Sequence, residues 1–253
     1  MSLPKETLPS FQAVRSRATK FVSDRDWHQY HTPTNVCLAL TGECGEVSEI
    51  FQWKGPLDNG VDDDKFTSKE VIHIGEEVSD VFIYSTRLCD LCNIDLAYCA
   101  RHAAAHPNPG NPSDEFLSKV QHSAVWDNLT FSELEGLLPK DFITEVKSPR
   151  RVAMLISAKV GLVCDLFQVK TEAQNMVGLP GWSRMEVAKL GYLMGSIAIL
   201  LLRMAIMART NLDNCVAEKF GKNEKKYPAE MVKGSSAKYT GNLNLHHYYH
   251  TLQ

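Results

Sequence analysis

Residues 33–54 read PTNVCLALTGECGEVSEIFQWK, and residues 149–170 read PRRVAMLISAKVGLVCDLFQVK. The two segments align without a gap and share the opening proline, the pair Gly45 and Gly161, and a Phe-Gln near the end. Apolar residues recur in both at the three- and four-residue spacing of a helix that buries one face. The pair therefore predicts helices and an internal repeat, with chance similarity between two amphipathic helices as the alternative.

A second pair of stretches extends the repeat. The sequence VFIYSTRLCDLCNIDL, residues 81–96, matches IAILLLRMAIMARTNLD, residues 197–213, with Asn93 placed opposite Asn211. Each Asn-x-Asp is interpreted as the end of one helix and the N-cap of the next. We therefore expect an all-α chain, a tandem-repeat helical bundle that forms a pseudo-dimer within one polypeptide. The predicted units are 1–112 for the first repeat, 113–240 for the second and 241–253 for a flexible tail.

Helical periodicity dominates the chain, and two serines are predicted to begin helices as N-caps. Ser68 precedes one long apolar run and Ser183 precedes another. Breaks rich in Pro, Gly and Asn fall at 55–60 and 107–112. The predicted helices are 11–23, 35–54, 68–92, 96–105, 149–168, 184–209 and 212–227.

Composition limits the classes of function. The chain has 253 residues, with 27 Lys and Arg against 30 Asp and Glu, and 44% of its residues are hydrophobic. This composition excludes a disordered chain, and the absence of a basic excess argues against a nucleic-acid partner. Seven cysteines, an odd number, and an N-terminus without an apolar core predict reduced thiols and a cytoplasmic protein. Cys89 and Cys92 are interpreted as core residues, and the run Leu190 to Leu202 is too short to predict a membrane span.

Two pairs of acids stand out in the first repeat. Glu43 and Glu46 are three residues apart, and so are Glu77 and Asp80 on the following predicted helix. Residues three apart lie on neighbouring positions of a helix surface, so antiparallel packing of the two helices would bring four carboxylates together. Such a cluster suits a hard divalent cation, and Mg²⁺ is the expected cofactor. The alternative is a solvated acidic helix face with no metal.

The second repeat lacks most of these acids. The positions that correspond to Glu43, Glu46 and Glu49 in the alignment hold Lys159, Leu162 and Asp165. Those set against Glu76, Glu77 and Asp80 hold Met194, Gly195 and Ala198. We therefore expect the first repeat to carry the chemistry and the second to support it.

Aromatic residues follow the acids on the same helices. Trp53 comes seven residues after Glu46, and Tyr84 comes four after Asp80, so each falls near the face of the acid it follows. A metal site beside flat rings favours a nucleotide, with its phosphates on the cation and its base on the rings.

Four stretches of the chain resemble the MazG-like all-α nucleoside triphosphate pyrophosphohydrolases. GECGEVSEIFQWK and EEVSDVFIY are similar to the ExxE and ExxD signature of that family, and RDWHQYHTPTN extends the similarity upstream. KFGKNEKKYPAEMVKGSSAKYT resembles the tail that the family places after its last helix. The resemblance implies that Glu43, Glu46, Glu77 and Asp80 are Mg²⁺ ligands.

The same resemblance implies roles for further residues. Trp27, Trp53 and Tyr84 would enclose the base and sugar, and Glu49 would help to orient water. The residues implied to contact phosphates and sugar are Lys219, Asn223, Lys226 and Tyr227, and Lys54 is expected to help offset the charge of the triphosphate. Ala18 departs from the family, which carries a His near the base, and Ile143 is interpreted as the counterpart of Trp27 in the second repeat.

The implied reaction is Mg²⁺-dependent hydrolysis of a nucleoside triphosphate, with dCTP as the expected substrate, to the monophosphate and pyrophosphate. The alternatives are a relaxed dNTP or dUTP pyrophosphatase and a non-catalytic nucleotide-binding regulatory protein. Because the tail follows the second repeat, we hypothesise one composite site, with acids from one repeat and the tail from the other. A further homodimer of the whole chain is left open.

Overall fold

The computed structural model describes residues 9–55, 57, 65–107, 111–121, 125–139 and 148–235. The predicted tail 241–253 and the predicted counterpart Ile143 lie outside these ranges. Within them the regular structure is helical and contains no strand, which confirms the all-α prediction. The helices are α1 Phe11–Asp24, α2 Pro33–Gln52, α3 Ser68–Leu91, α4 Leu96–Ala105, α5 Asp114–Lys119, α6 Phe131–Leu137, α7 Pro149–Gln168, α8 Arg184–Met207, α9 Leu212–Lys226 and α10 Ala229–Val232.

We call helices α1–α4 the first half of the molecule and helices α5–α10 the second half. The two longest helices of one half have the same lengths as the two longest helices of the other. Helices α2 and α7 each have 20 residues and a proline in the first turn. Helices α3 and α8 each have 24 residues and begin with a capping box, made by Thr67 with Glu70 and by Ser183 with Glu186. The predicted N-cap Ser183 is confirmed, whereas the prediction of Ser68 is wrong by one residue. Thr67 takes that role because its hydroxyl reaches the Glu70 amide.

The ends of the long helices correct the alignment of the two halves. Asn93 after α3 and Arg209 after α8 both adopt the left-handed conformation, with φ of 56° and 55°. The following N-caps are Asp95 and Asn211, so Asn211 corresponds to Asp95 rather than to Asn93. Backbone geometry sets this register, and here an arginine fills the left-handed position that Asn usually prefers.

The corrected register changes the counterparts of three acids. The separation of the N-caps Thr67 and Ser183 equals that of Pro33 and Pro149, so one constant spacing relates the long helices of both halves. The expected counterparts Met194, Gly195 and Ala198 are therefore wrong by two residues. The positions of Glu76, Glu77 and Asp80 in α3 correspond in α8 to Tyr192, Leu193 and Ser196.

Each half contributes one helix that packs on a long helix of the other half, and we call these two the exchanged helices. Helix α2 packs on α3 and on α7, and α7 packs on α8 in the same way. Helix α4 of the first half packs on α8 of the second, whereas α9 of the second half packs on α3 of the first. Buried residues from both halves accordingly form one hydrophobic cluster. This exchange brings α9 to the helices that carry the acids.

Glycines permit the close approach of the exchanged helices. A Cβ added to Gly75 of α3 would lie 2.7 Å from Cys215 Sγ, and one added to Gly191 of α8 would lie 3.0 Å from Cys99 Sγ. A Cβ on Gly195 would lie 2.3 Å from the Cys99 carbonyl oxygen, so α4 is in backbone contact with α8. The contact of α4 with α8 is therefore less tolerant of added volume than that of α9 with α3.

Helix α8 has the length and composition of a membrane span. Its mean hydropathy reaches 1.9, but 78% of that apolar window is buried inside the described fold. Burial of this kind is characteristic of a core helix. Cys89 and Cys92 are likewise fully buried and free, which confirms their interpretation as core residues.

Candidate active site

Helices α2 and α3 bring three acids together. Carboxylate oxygens of Glu43, Glu46 and Glu77 lie within 4.8 Å of one another. Glu77 is 5% exposed, although it is ionisable and lies on a helix with a solvent-facing side. Among the described residues no hydrogen-bond donor reaches its Oε2 atom. A buried oxygen without a donor, next to two further carboxylates, is a donor set that a cation can satisfy.

Asp80, one turn after Glu77, connects the acids to helix α9. Lys219 Nζ lies 2.6 Å from Asp80 Oδ2 and 3.7 Å from Glu77 Oε1. Asn223 Nδ2 donates to Asp80 Oδ1 at 3.3 Å. The acids of the first half and two residues from the tail of the second half thus occupy one site.

Burial and mutual repulsion set the electrostatics of the acids. Burial raises the pKa of Glu43 to about 8, and three neighbouring carboxylates act in the same direction. Burial also raises the pKa of Glu77 to about 7, against the opposing effect of Lys219. The pKa of Asp80 is raised for the same main reason. Lys219 therefore offsets only part of the negative charge, and a divalent cation would favour the ionised forms.

An aromatic cavity of about 300 Å³ adjoins the acids. Asp80 and Asn223 lie at its border, and Trp27, Tyr84 and Tyr227 line it. The Trp27 ring meets that of Tyr227 edge-on, with centroids 5.6 Å apart. One carboxylate, that of Asp80, therefore borders a space with flat apolar walls, which is the arrangement expected of a nucleotide site.

The segment after α9 is held against the loop between α1 and α2. Arg25 Nε donates to the Tyr227 carbonyl at 2.7 Å, and the Gly234 amide donates to the Arg25 carbonyl at 2.8 Å. Trp27 Nε1 donates to the Ser235 carbonyl at 2.8 Å. These bonds fix both Trp27 and Tyr227, one from each half, at the cavity.

Two predicted site residues lie elsewhere. Trp53, the C-cap of α2, is 86% exposed and does not line the cavity. Lys54 forms an ion pair with Glu70 and lies 4.7 Å above the Phe66 ring, where it joins α2 to the start of α3. Neither residue lines the cavity in this structure, and their contact with the substrate stays a prediction.

Two further predicted site residues, Glu49 and Lys226, lie close in the chain to residues of the site. Glu49 is exposed on α2, one turn after Glu46. Lys226 Nζ lies 5.4 Å from the Tyr227 ring, and its charge lowers the pKa of Asp80. Ala18, where the resemblance leads one to expect His, lines the cavity.

Several residues at the site were not singled out from the sequence. His73 Nδ1 lies 3.3 Å from Glu77 Oε1, and its position four residues earlier on the same helix is a signal that could have indicated it. Arg87, one turn after Tyr84, lines the cavity and is buried. His31 and Asn35 also line it and lie within the upstream stretch that resembles the family.

The chain is similar to dCTP pyrophosphatase 1 of several mammals. It is 41% identical to the Rattus norvegicus protein over 88 residues, which make up 35% of this chain and 51% of that relative. The Mus musculus protein gives the same values, and the Homo sapiens protein is 40% identical over 88 residues. No family model matches the chain. The chain thus spans about half the length of these curated relatives, and it is similar to dCTP pyrophosphatase 1 over that stretch.

Proposed function

We propose that the chain hydrolyses a deoxynucleoside triphosphate, dCTP in the first instance, to the monophosphate and pyrophosphate. The observation that carries this proposal is the junction of acids and aromatic cavity. Glu43, Glu46 and Glu77 converge, and Asp80 lies both beside them and at the cavity border. The name of the mammalian relatives supports dCTP as the substrate.

The acids fit a divalent cation, and Mg²⁺ is the proposed cofactor. Glu43, Glu46, Glu77 and Asp80 would hold it, since they supply only oxygen ligands and include the unsatisfied Glu77 Oε2. When bound, the ion offsets the charge of the triphosphate and acts as a Lewis acid on a phosphoryl oxygen.

The chain's own residues would position the substrate. The rings of Trp27, Tyr84 and Tyr227 offer the base and sugar a wall, and buried Arg87 offers hydrogen-bond donors at the same cavity. Lys219 and Asn223 bond to Asp80 and would also face the phosphates. Lys226 would add positive charge there, and Glu49 would orient the attacking water.

The arrangement also supports a tandem duplication in which residues 1–112 and 113–240 are the two repeats. Matched contacts favour it: Lys54 binds Glu70 over Phe66 in the first half, as Lys170 binds Glu186 over Trp182 in the second. With α4 and α9 exchanged, the chain would be a pseudo-dimer with one composite site. A further homodimer and a cytoplasmic location remain predictions.

The test is a substrate panel with the full chain. We expect Mg²⁺-dependent release of pyrophosphate and dCMP from dCTP, with slower release from the other dNTPs and none in EDTA. Equal rates with all dNTPs would contradict dCTP specificity and would indicate a pyrophosphatase of relaxed specificity. If the chain binds nucleotides but releases no product under any of these conditions, hydrolysis is contradicted and a regulatory role is indicated.

A further inference from the structure

A second cavity, of about 600 Å³, opens on the other half of the molecule. Helices α4, α7 and α8 contribute His102, Lys159 and Lys189 to its lining. Phe116 and Tyr192 supply aromatic rings. We call this space the second-half cavity, and the aromatic space beside the acids the first-half cavity.

The second-half cavity occupies the place that corresponds to the acid cluster. Lys159 holds the same position in α7 that Glu43 holds in α2. Tyr192 of α8 holds the position of Glu76 in α3, and the next residue, Leu193, replaces Glu77 and also lines the cavity. Helix α4 packs on α8 here, as α9 packs on α3 at the acids. The two halves thus build the same walls from different side chains.

These differences reverse the charge of the site. Among the described residues that line the second-half cavity there is no Asp or Glu. Lys159 Nζ lies 5.8 Å from the Tyr192 ring centroid, and Lys189 is exposed on α8. A divalent cation has no carboxylate ligand here, whereas an anion meets two lysines.

Ordered aromatic rings give the cavity a fixed apolar wall. Tyr192 Oη donates to the Pro107 carbonyl at 2.8 Å, which fixes the ring that Lys159 approaches. Phe116 is 1% exposed and its ring centroid lies 4.0 Å from that of His102. Cationic groups beside flat rings suit a ligand with a phosphate at one end and a ring at the other.

We propose that the second-half cavity binds a phosphate-bearing organic anion of mononucleotide size, without a divalent cation. Lys159 and Lys189 would contact the phosphate, and Tyr192, whose side chain is partly exposed, would face the ring of the ligand. This binding is separate from the proposed hydrolysis and does not require it.

The test measures binding to the full chain in EDTA by isothermal titration calorimetry. The probes are dCMP, deoxycytidine and inorganic pyrophosphate, which separate the phosphate from the ring. We expect dCMP to bind, deoxycytidine not to bind, and pyrophosphate to bind more weakly than dCMP. Lys159→Glu introduces at this position the residue type that Glu43 has in the first half. It should weaken the binding of dCMP by about tenfold or more, because one charged contact is lost.

Two further variants keep the test independent of folding and of turnover. Lys159→Met removes the charge without adding an acid, and should weaken dCMP binding while Mg²⁺-dependent turnover of dCTP stays unchanged. Glu43→Gln should remove turnover and leave dCMP binding in EDTA intact. Absence of dCMP binding in EDTA would overturn the proposal. So would binding that Lys159→Met leaves unchanged, or pyrophosphate binding as tight as that of dCMP.

Discussion

The two halves of this molecule use similar helices for opposite purposes. In the first half, α3 carries the buried acid Glu77 and meets α9 through ionic contacts at Lys219. In the second half, α8 carries Leu193 at the position of Glu77 and contacts the backbone of α4 at Gly195. Burying carboxylates costs free energy, whereas burying apolar groups releases it. The comparison indicates that the buried acids belong to the first half, whereas the second half offers apolar packing on α8 and, through Lys219 of α9, a cation for those acids.

The largest difference between the halves should be in catalysis. Asp80→Asn or Glu46→Gln should lower dCTP turnover by on the order of a hundredfold or more, because each change removes a charged oxygen from the proposed metal site. Asp165→Asn is the control, since it neutralises an exposed acid on α7 that lies outside the proposed site. Steady-state pyrophosphate release, with circular dichroism to verify folding, measures the effect. Near wild-type rates in Asp80→Asn would contradict the proposed role of Asp80 in the active site.

The ion pair of Lys219 should also distinguish the halves. Lys219→Met leaves Asp80 without its cation, and breaking a buried pair costs about 3 kcal/mol in unfolding free energy. Lys222→Met is the control, because Lys222 pairs with Glu76 at an exposed site, where the expected loss is below about 1 kcal/mol. Urea denaturation of both variants in EDTA measures the difference. Equal losses would mean that Lys219 does not offset the buried acids.

The packing of α4 on α8 predicts a third effect. Gly195→Ala places a methyl group against the Cys99 carbonyl and should lower the unfolding free energy by about 1–3 kcal/mol. Gly75→Ala meets the Cys215 sulfur instead, which can move, and the better helix propensity of alanine offsets part of its cost. Denaturant midpoints of the two variants provide the comparison. A larger loss in Gly75→Ala would reverse our ranking of the two contacts.

The smallest effect concerns pH in the absence of metal. The pKa of Glu43 is raised to about 8 and that of Glu77 to about 7, so the folded state holds protons that the unfolded state releases. The unfolding free energy should therefore fall as the pH rises from 6.5 to 8. Glu43→Gln should flatten this slope, and Mg²⁺ should stabilise the wild type most at pH 8.

Two other groups with shifted pKa values titrate below this window. Burial lowers the pKa of His31 to about 4, so its effect lies below pH 6.5 and has the opposite sign. Lys54 lowers the pKa of Glu70 to about 2, and stability from that contact is lost only at still lower pH. Thermal denaturation in EDTA at pH 6.5, 7 and 8 measures the slope. A stability that rises over this range would contradict the raised pKa values.

Much of the first-half site could be predicted from local spacing. The separation of Glu43 from Glu46 places both on one side of α2, because three residues make nearly one helical turn. The spacing does not bring Trp53 to the cavity, since its side chain is 86% exposed at the C-cap of α2. Residue type sets Asn211 against Asn93, whereas its cap position matches Asp95. Spacing is informative only while the helix continues, and its end depends on cap hydrogen bonds.

The sequence by itself determined the helices, the acids on α2 and α3, and the absence of a matching set of acids on the long helices of the second half. All of these follow from the order of residues along one helix. Only the tertiary structure decided that Lys219 reaches Asp80, that Lys54 binds Glu70, and that the second half forms a cavity of its own. Such contacts join residues far apart in the chain, and packing of the exchanged helices fixes which side chains meet.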